Sequence, residues 1–239
     1  MRDVLMPLKE AIDAMKIDCD EAALGKFESY MKNILLWNEK VNLTAIRDEK
    51  EFVIKHFVDS IMCADHIGKN GAKTIVDIGT GAGFPGIPLA ILFPEKKFTL
   101  VDSTSKKINI IKSVSEEIDL NNVFFIHARA EDLGNDKKYR ERFDYCVSRA
   151  VASLSVLSEF CLPLVRIGGH FAAFKGSDIE GELAEAERAI RVLGGKVDLI
   201  QPFLLETMDI GHKLIYIKKM EKTPEKYPRK AGKPLKEPI

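Results

Sequence analysis

One segment constrains this chain more than any other: Val76-Asp77-Ile78-Gly79-Thr80-Gly81-Ala82-Gly83-Phe84-Pro85-Gly86. It follows a short apolar run, TIVDI at 74–78, and leads into a helical stretch that starts near Gly86. Glycines between a strand and a helix let the backbone turn sharply and approach a ligand without Cβ contacts. In an open α/β sheet such a loop lies at the carboxyl ends of the strands, where cofactors bind. Asp102 closes the next apolar run, FTLVD at 98–102. An acid about twenty residues after a glycine loop accepts hydrogen bonds from ribose hydroxyls.

The rest of the chain supports such a sheet. Further apolar runs stand at 123–127, 143–148, 170–174, 196–203 and 213–218, with helical stretches at 86–93, 105–118, 153–165 and 178–193. Strand and helix in alternation predict a doubly wound, mostly parallel sheet with helices on both faces. Between 203 and 213 there is no room for a crossover helix, which takes a dozen residues or more. The last two of seven strands are therefore expected to form an antiparallel hairpin. Residues 1–68 read as helical: Leu24, Phe27, Tyr30, Met31, Ile34 and Leu35 recur at helical steps, as do Phe52, Ile54, Phe57, Val58 and Ile61. Thr44 or Asp48 can cap the second of these helices. The expected organisation is a helical extension at 1–70, a cofactor-binding domain at 71–220 and a basic, extended tail at 221–239. Residues 218–239 hold eight Lys or Arg against three Glu, and prolines argue against a helix there.

The glycine loop alone leaves two cofactors open. Gly81 to Gly86 also fits the dinucleotide pattern GxGxxG. Asp77, two residues before Gly79, and the closing hairpin favour S-adenosylmethionine and a class I, Rossmann-like methyltransferase. Asp77 can orient the loop and receive a methionine ammonium. After the third strand, the main chain at Ala130 and the carboxylate of Glu131 can read an adenine edge; a helix-capping acid is the alternative. After the fourth strand, Arg149 can hold a carboxylate or a phosphate, or simply form a surface ion pair.

Several segments together resemble one family: WNEKVNLTAI (37–46), HFVDS (56–60), VDIGTGAGFPGIPLAI (76–91), LVDSTSKK (100–107), ARAED (128–132), SRAVASL (148–154), FKG (174–176) and YPRKAGKP in the tail. They are similar to the small-subunit ribosomal RNA methyltransferase G, or glucose-inhibited division protein B, family. The resemblance implies methyl transfer to N7 of a guanine in the decoding-region stem-loop of 16S rRNA. It implies S-adenosylmethionine contacts at Gly79, Phe84, Asp102, Ser103, Thr104, Ala130, Glu131 and Arg149, to which the loop itself adds Asp77, Gly81 and Gly83. Guanine N7 has a free lone pair, so no general base is expected; Arg149 and Lys175 are candidates for positioning the substrate. The sequence lacks the (D/N)PP(Y/F) segment used on exocyclic amines and a Pro-Cys element for covalent attack.

RNA contact is expected from Lys40, Arg47, Lys55, His56, Arg149, Lys175, Arg229 and Lys230; the tail reads either as a phosphate-contacting arm or as a solubilising, disordered terminus. His56 and Trp37 have structural readings as well, as a satisfied histidine and a core side chain. Net charge is zero and decides nothing. Four scattered cysteines without a CxxC pair predict neither a disulfide framework nor a metal site. No apolar run is long enough to span a bilayer, and the charged N-terminus does not read as a signal peptide. A cytoplasmic monomer whose partner is 16S rRNA or the small ribosomal subunit is expected.

Overall fold

The computed structural model describes residues 2–149, 152–176, 179–202 and 213–239. Seven strands form one sheet: β1 Thr74–Ile78, β2 Lys97–Asp102, β3 Val123–His127, β4 Phe143–Arg149, β5 Val165–Lys175, β6 Gly195–Pro202 and β7 Lys213–Lys219. Their order is β3-β2-β1-β4-β5-β7-β6. The first five run parallel, and β7 pairs antiparallel with both β5 and β6. The expected hairpin is therefore present; the connection at 203–212 lies outside the described residues. Chain order reverses between β1 and β4, the position where an open α/β sheet opens a crevice.

Alternation along the strands divides two cores. Ile75, Leu100, Tyr145, Val147, Ala172, Phe174 and Tyr216 face one side, and Val76, Val101, Cys146, Phe171, Ala173, Ile215 and Ile217 the other. The second face is covered by α9 Leu154–Cys161 and α10 Glu180–Val192. The first is covered by α6 Gly86–Leu92, α7 Ser105–Glu117 and the N-terminal helices. These begin with α1 Met6–Ala14 and α2 Glu21–Asn38. Asp20 caps α2 by accepting the Ala23 N–H at 2.8 Å, and Phe27, Tyr30, Met31 and Ile34 are fully buried along one stripe. The N-terminal helices thus share one continuous core with the sheet rather than forming a body of their own.

The second helical repeat, through Phe52, Ile54, Phe57, Val58 and Ile61, does not form one regular α-helix. It comprises α3 Glu49–Phe52, a π-helical segment Val53–Val58, α4 Asp59–Ile61 and α5 Ala64–Lys69. Asp48 caps its start through the Glu51 N–H. A wider turn spreads apolar residues around the axis, which a helical repeat in sequence does not reveal.

The tail differs from the expected free, extended arm. Residues 221–239 lie against α8 Ala130–Asn135 and α9, and include a helical turn, α11 Lys233–Lys236. Arg140 donates to the carbonyls of Gly134, Thr223 and Tyr227 at 3.0, 2.7 and 2.7 Å. Asn135 donates to the Pro228 carbonyl at 3.1 Å. Proline removes N–H donors, so side chains of the domain bind the carbonyls instead.

Candidate active site

The glycine loop is built around two carboxylates. Asp77, fully buried at the end of β1, accepts from Thr80 Oγ1 at 2.7 Å and from the Gly86 N–H at 2.9 Å, both through Oδ2. It thereby ties the start of the loop to the start of α6. Its Oδ1 is buried without a partner among the described residues, and burial pushes the group up to about 7. Asp102, at the end of β2, accepts the Gly81 N–H at 3.0 Å and the Thr104 N–H at 2.8 Å. Gly81 has φ +59° and Gly83 has φ +85°. A Cβ on Gly83 would overlap the Tyr30 hydroxyl and come within 2.7 Å of Ile87. Tyr30 donates to the Ala82 carbonyl at 2.8 Å, so α2 packs directly on the loop.

A cleft of about 450 Å³ opens over the loop, lined by Gly79, Gly81, Phe84, Asp102 and Thr104 below and by Leu43, Thr44, His56 and Arg149 on its rim. The rim is one connected group. Arg149, at the end of β4, donates from Nη1 to Asp59 Oδ2 at 2.6 Å and to the Lys55 carbonyl at 3.1 Å. Its guanidinium also lies 5.3 Å from the centre of the Phe84 ring. The His56 ring stacks on Phe84, with centroids 4.4 Å apart and 10° between the planes. Arg149 Nη2 is 3.2 Å from His56 Nδ1, and His56 Nε2 is 2.6 Å from Thr44 Oγ1. Arginine has no acceptor, so Nδ1 accepts and Nε2–H donates to the threonine. Burial and the Arg149 charge lower His56 to about 3, which keeps it neutral.

The residues expected to contact the cofactor fall into three groups. Gly79, Gly81, Phe84, Asp102, Ser103, Thr104 and Arg149 line the cleft. Asp77 and Gly83 support its floor from behind. Ala130 and Glu131 open α8 outside that lining, and Glu131, buried, accepts the Gly232 N–H of the tail at 2.8 Å. Ala150, next to Arg149, lies outside the described residues.

The residues expected to contact RNA divide too. Lys40, Arg47, Lys55 and Lys230 are exposed. His56 belongs to the rim. Lys175 reaches the Ala152 carbonyl at 2.8 Å and Glu182 at 2.6 Å. Arg229 grips the buried Glu159 with contacts of 2.6 to 3.1 Å. Trp37 packs partly buried against the core. Sequence reasoning did not nominate Asp59, Tyr30 or Lys107, although all three meet the site. An acid within the apolar run FVDSI was the available signal for Asp59; Tyr30 gave none, being one apolar position among several.

Would these residues hold S-adenosylmethionine? An acid at the end of β2 that lines the cleft suits a ribose, and a buried carboxylate behind the glycine loop, its Oδ1 without a partner among the described residues, suits an ammonium held through water. The donor set fits. A mostly parallel sheet closed by an antiparallel hairpin, with this loop at the switch point, defines a class I S-adenosylmethionine-dependent methyltransferase. An O-methyltransferase from Bacillus cereus in complex with SAH has the same fold, with a TM-score of 0.61 at 17% identity over 92% of this chain and 100% of that one. An S-adenosylmethionine-dependent O-methyltransferase from Thermotoga maritima gives 0.54 at 15% identity, over 80% and 72%. The family model of GidB, rRNA small subunit methyltransferase G, matches residues 23–209. The chain belongs to this family. The ribosomal RNA small subunit methyltransferase G of Alkaliphilus oremlandii is 49% identical over 97% of both chains, and that of Desulforamulus reducens 45% over 100% of both.

Proposed function

We propose that this chain methylates N7 of a guanine in the decoding-region stem-loop of 16S rRNA, with S-adenosylmethionine as the donor. The observation that carries the reading is convergence. Segments 37–46, 56–60, 76–91, 100–107 and 148–154, far apart in sequence, each supply a residue to one cleft. When bound, the cofactor supplies an electrophilic methyl group on a sulfonium. N7 offers a lone pair in the neutral base, so the protein has to hold and align rather than remove a proton. No neutral-pH base is required of His56, and its low pKa agrees with that.

Asp102 lines the cleft and faces the cofactor's ribose, and Asp77, behind the loop, reaches its ammonium through water. Phe84 and the His56 ring form a flat wall beside the loop. Arg149, fixed by Asp59, sets the positive charge on the rim toward a carboxylate or a phosphate. Arg47 and Lys230 are exposed cations available to the RNA backbone; Lys175 and Arg229 serve the fold through Glu182 and Glu159. Residues 1–70 form a helical extension that completes the cleft, 71–220 the cofactor domain and 221–239 a basic strap. Among the described residues no helix is long and apolar enough to cross a membrane, and we place the protein in the cytoplasm as a monomer acting on the small subunit or its RNA. The test is a nucleoside comparison by mass spectrometry of 16S rRNA from a strain lacking this chain and from its parent. Loss of a single 7-methylguanosine, restored by the wild type and not by Asp102→Ala, is expected. An unchanged nucleoside profile would overturn the assignment.

A further inference from the structure

Three side chains with metal-binding chemistry converge well away from the cofactor cleft. His170 lies on β5 five residues before Lys175, roughly 16 Å back along the strand from the cofactor end. One ligand atom from each of His170, His66 on α5 and Asp198 on β6 lies within 4.8 Å of the others. Each residue arrives for a local reason. His170 pairs with Tyr145 and Lys218 across the sheet, on the face covered by the N-terminal helices. Asp198 falls in the register shift between Val197 and Leu199, and a bulge of this kind re-aims a side chain. The His66 ring stacks on Tyr216 with centroids 4.0 Å apart, edge-on to His170 at 5.0 Å.

The spacing is not that of a hydrogen-bonded pair. His170 Nε2 and Asp198 Oδ2 are 3.7 Å apart, beyond the range of about 2.7–3.2 Å for an N–H···O bond. Two ligand atoms on a tetrahedral zinc, each about 2.1 Å from the ion, stand about 3.4 Å apart. The His170–Asp198 gap is close to that spacing, and the group as a whole, within 4.8 Å, closes around one ion by a small rotation of the half-exposed Asp198 side chain. His66 Nδ1 is 2.9 Å from the Tyr145 hydroxyl, an outer partner of the kind that fixes the ring of a liganding histidine.

We propose that His66, His170 and Asp198 bind a divalent transition-metal ion of the zinc type. Asp198, whose side chain is 47% exposed, leaves the remaining coordination position open to water. The ion clasps the edge strand β6 to α5 and so joins the N-terminal layer to the end of the sheet. Its place is structural, remote from methyl transfer.

The test uses the full chain without an affinity tag, treated with chelator and dialysed. Zinc chloride is titrated by calorimetry and cobalt chloride by visible absorption. One ion per chain, tetrahedral cobalt bands without sulfur charge-transfer intensity, and a higher Tm with zinc are expected. Asp198→Asn is half-exposed and leaves the metal-free Tm close to the wild type; it should weaken zinc binding about tenfold or more. His66→Gln provides the second variant, with the same loss. Absence of binding, equal binding in both variants, or cobalt bands showing thiolate ligation would each overturn the site.

Discussion

Asp59 Oδ2 stands 2.6 Å from Arg149 Nη1, and this contact joins the helical layer to the end of β4 at the lip of the cleft. Asp59 is 1% exposed and the Arg149 side chain 11%, so both charges are largely desolvated. Such a pair matters more for placement than for net stability.

Removing one partner leaves the other charge buried. Asp59→Ala is expected to cost about 3 kcal/mol, the low end for a broken buried pair, because Arg149 keeps the Lys55 carbonyl. Urea unfolding measures this. The double variant Asp59→Leu/Arg149→Met should regain most of the stability while methyl transfer stays lost. Regained activity in that variant would show that the guanidinium is not needed.

Under the proposed placement of the ammonium, Asp77 is expected to make cofactor affinity depend on pH. Its folded value, about 7, is raised from 3.8 by burial. Its contribution to stability is therefore full below 3.8 and is lost as pH rises through about 7. An ammonium ligand needs the ionised carboxylate. Affinity for S-adenosylhomocysteine, measured by calorimetry, should rise with pH through about 7, and Asp77→Asn should flatten the rise. A flat wild-type profile would remove the ammonium from Asp77.

The half-buried histidines act in the opposite direction. His56 is lowered to about 3 and His66 to about 4, both from 6.5. The unfolded chain takes up these protons first, so the stability they contribute is present above 6.5 and is lost as pH falls through about 4 and then 3. The Tm should fall as the pH drops from about 6.5 toward 3, less steeply in His56→Gln. Methyl transfer should show no step near pH 6.5 that disappears in this variant.

Gly83→Ala places a methyl group on the Tyr30 hydroxyl at a φ of +85°. A loss of about 1–3 kcal/mol is expected, together with weaker cofactor binding. Adding Tyr30→Phe frees space but not the backbone, so rescue should be partial. Full rescue would assign the whole cost to the hydroxyl.

The strap changes how RNA binding should be probed. Deleting 221–239 exposes Glu159 and Glu131, each buried and bonded to the strap, so a general loss of stability is expected. Arg229→Ala alone should lower the Tm. Lys230→Ala should leave it unchanged and flatten the salt dependence of rRNA binding by about one phosphate contact. An unchanged slope would exclude Lys230 from the interface.

How much of this was legible in advance follows from the range of each interaction. Alternating apolar runs and helical repeats are local, and they marked all seven strands and most helices. The glycine loop is also local: chirality makes a tight strand-to-helix turn a matter of residue type. The π-helical segment was hidden because its apolar residues match a helical repeat, whereas its wider turn depends on packing. The tail read as a free arm because proline and charge suggest one, and nothing local indicates that Arg140 and Glu159 will hold it.

The sequence by itself determined the sheet, its closing hairpin and a nucleotide-type loop flanked by Asp77 and Asp102. Tertiary structure alone decided which buried charges are paired. Arg149 meets Asp59 across 90 residues and Arg229 meets Glu159 across 70. Ion pairs and buried hydrogen bonds are fixed by proximity in the folded chain, and composition holds no record of that proximity. The same reason brings His66, His170 and Asp198 together, three residues with no shared motif.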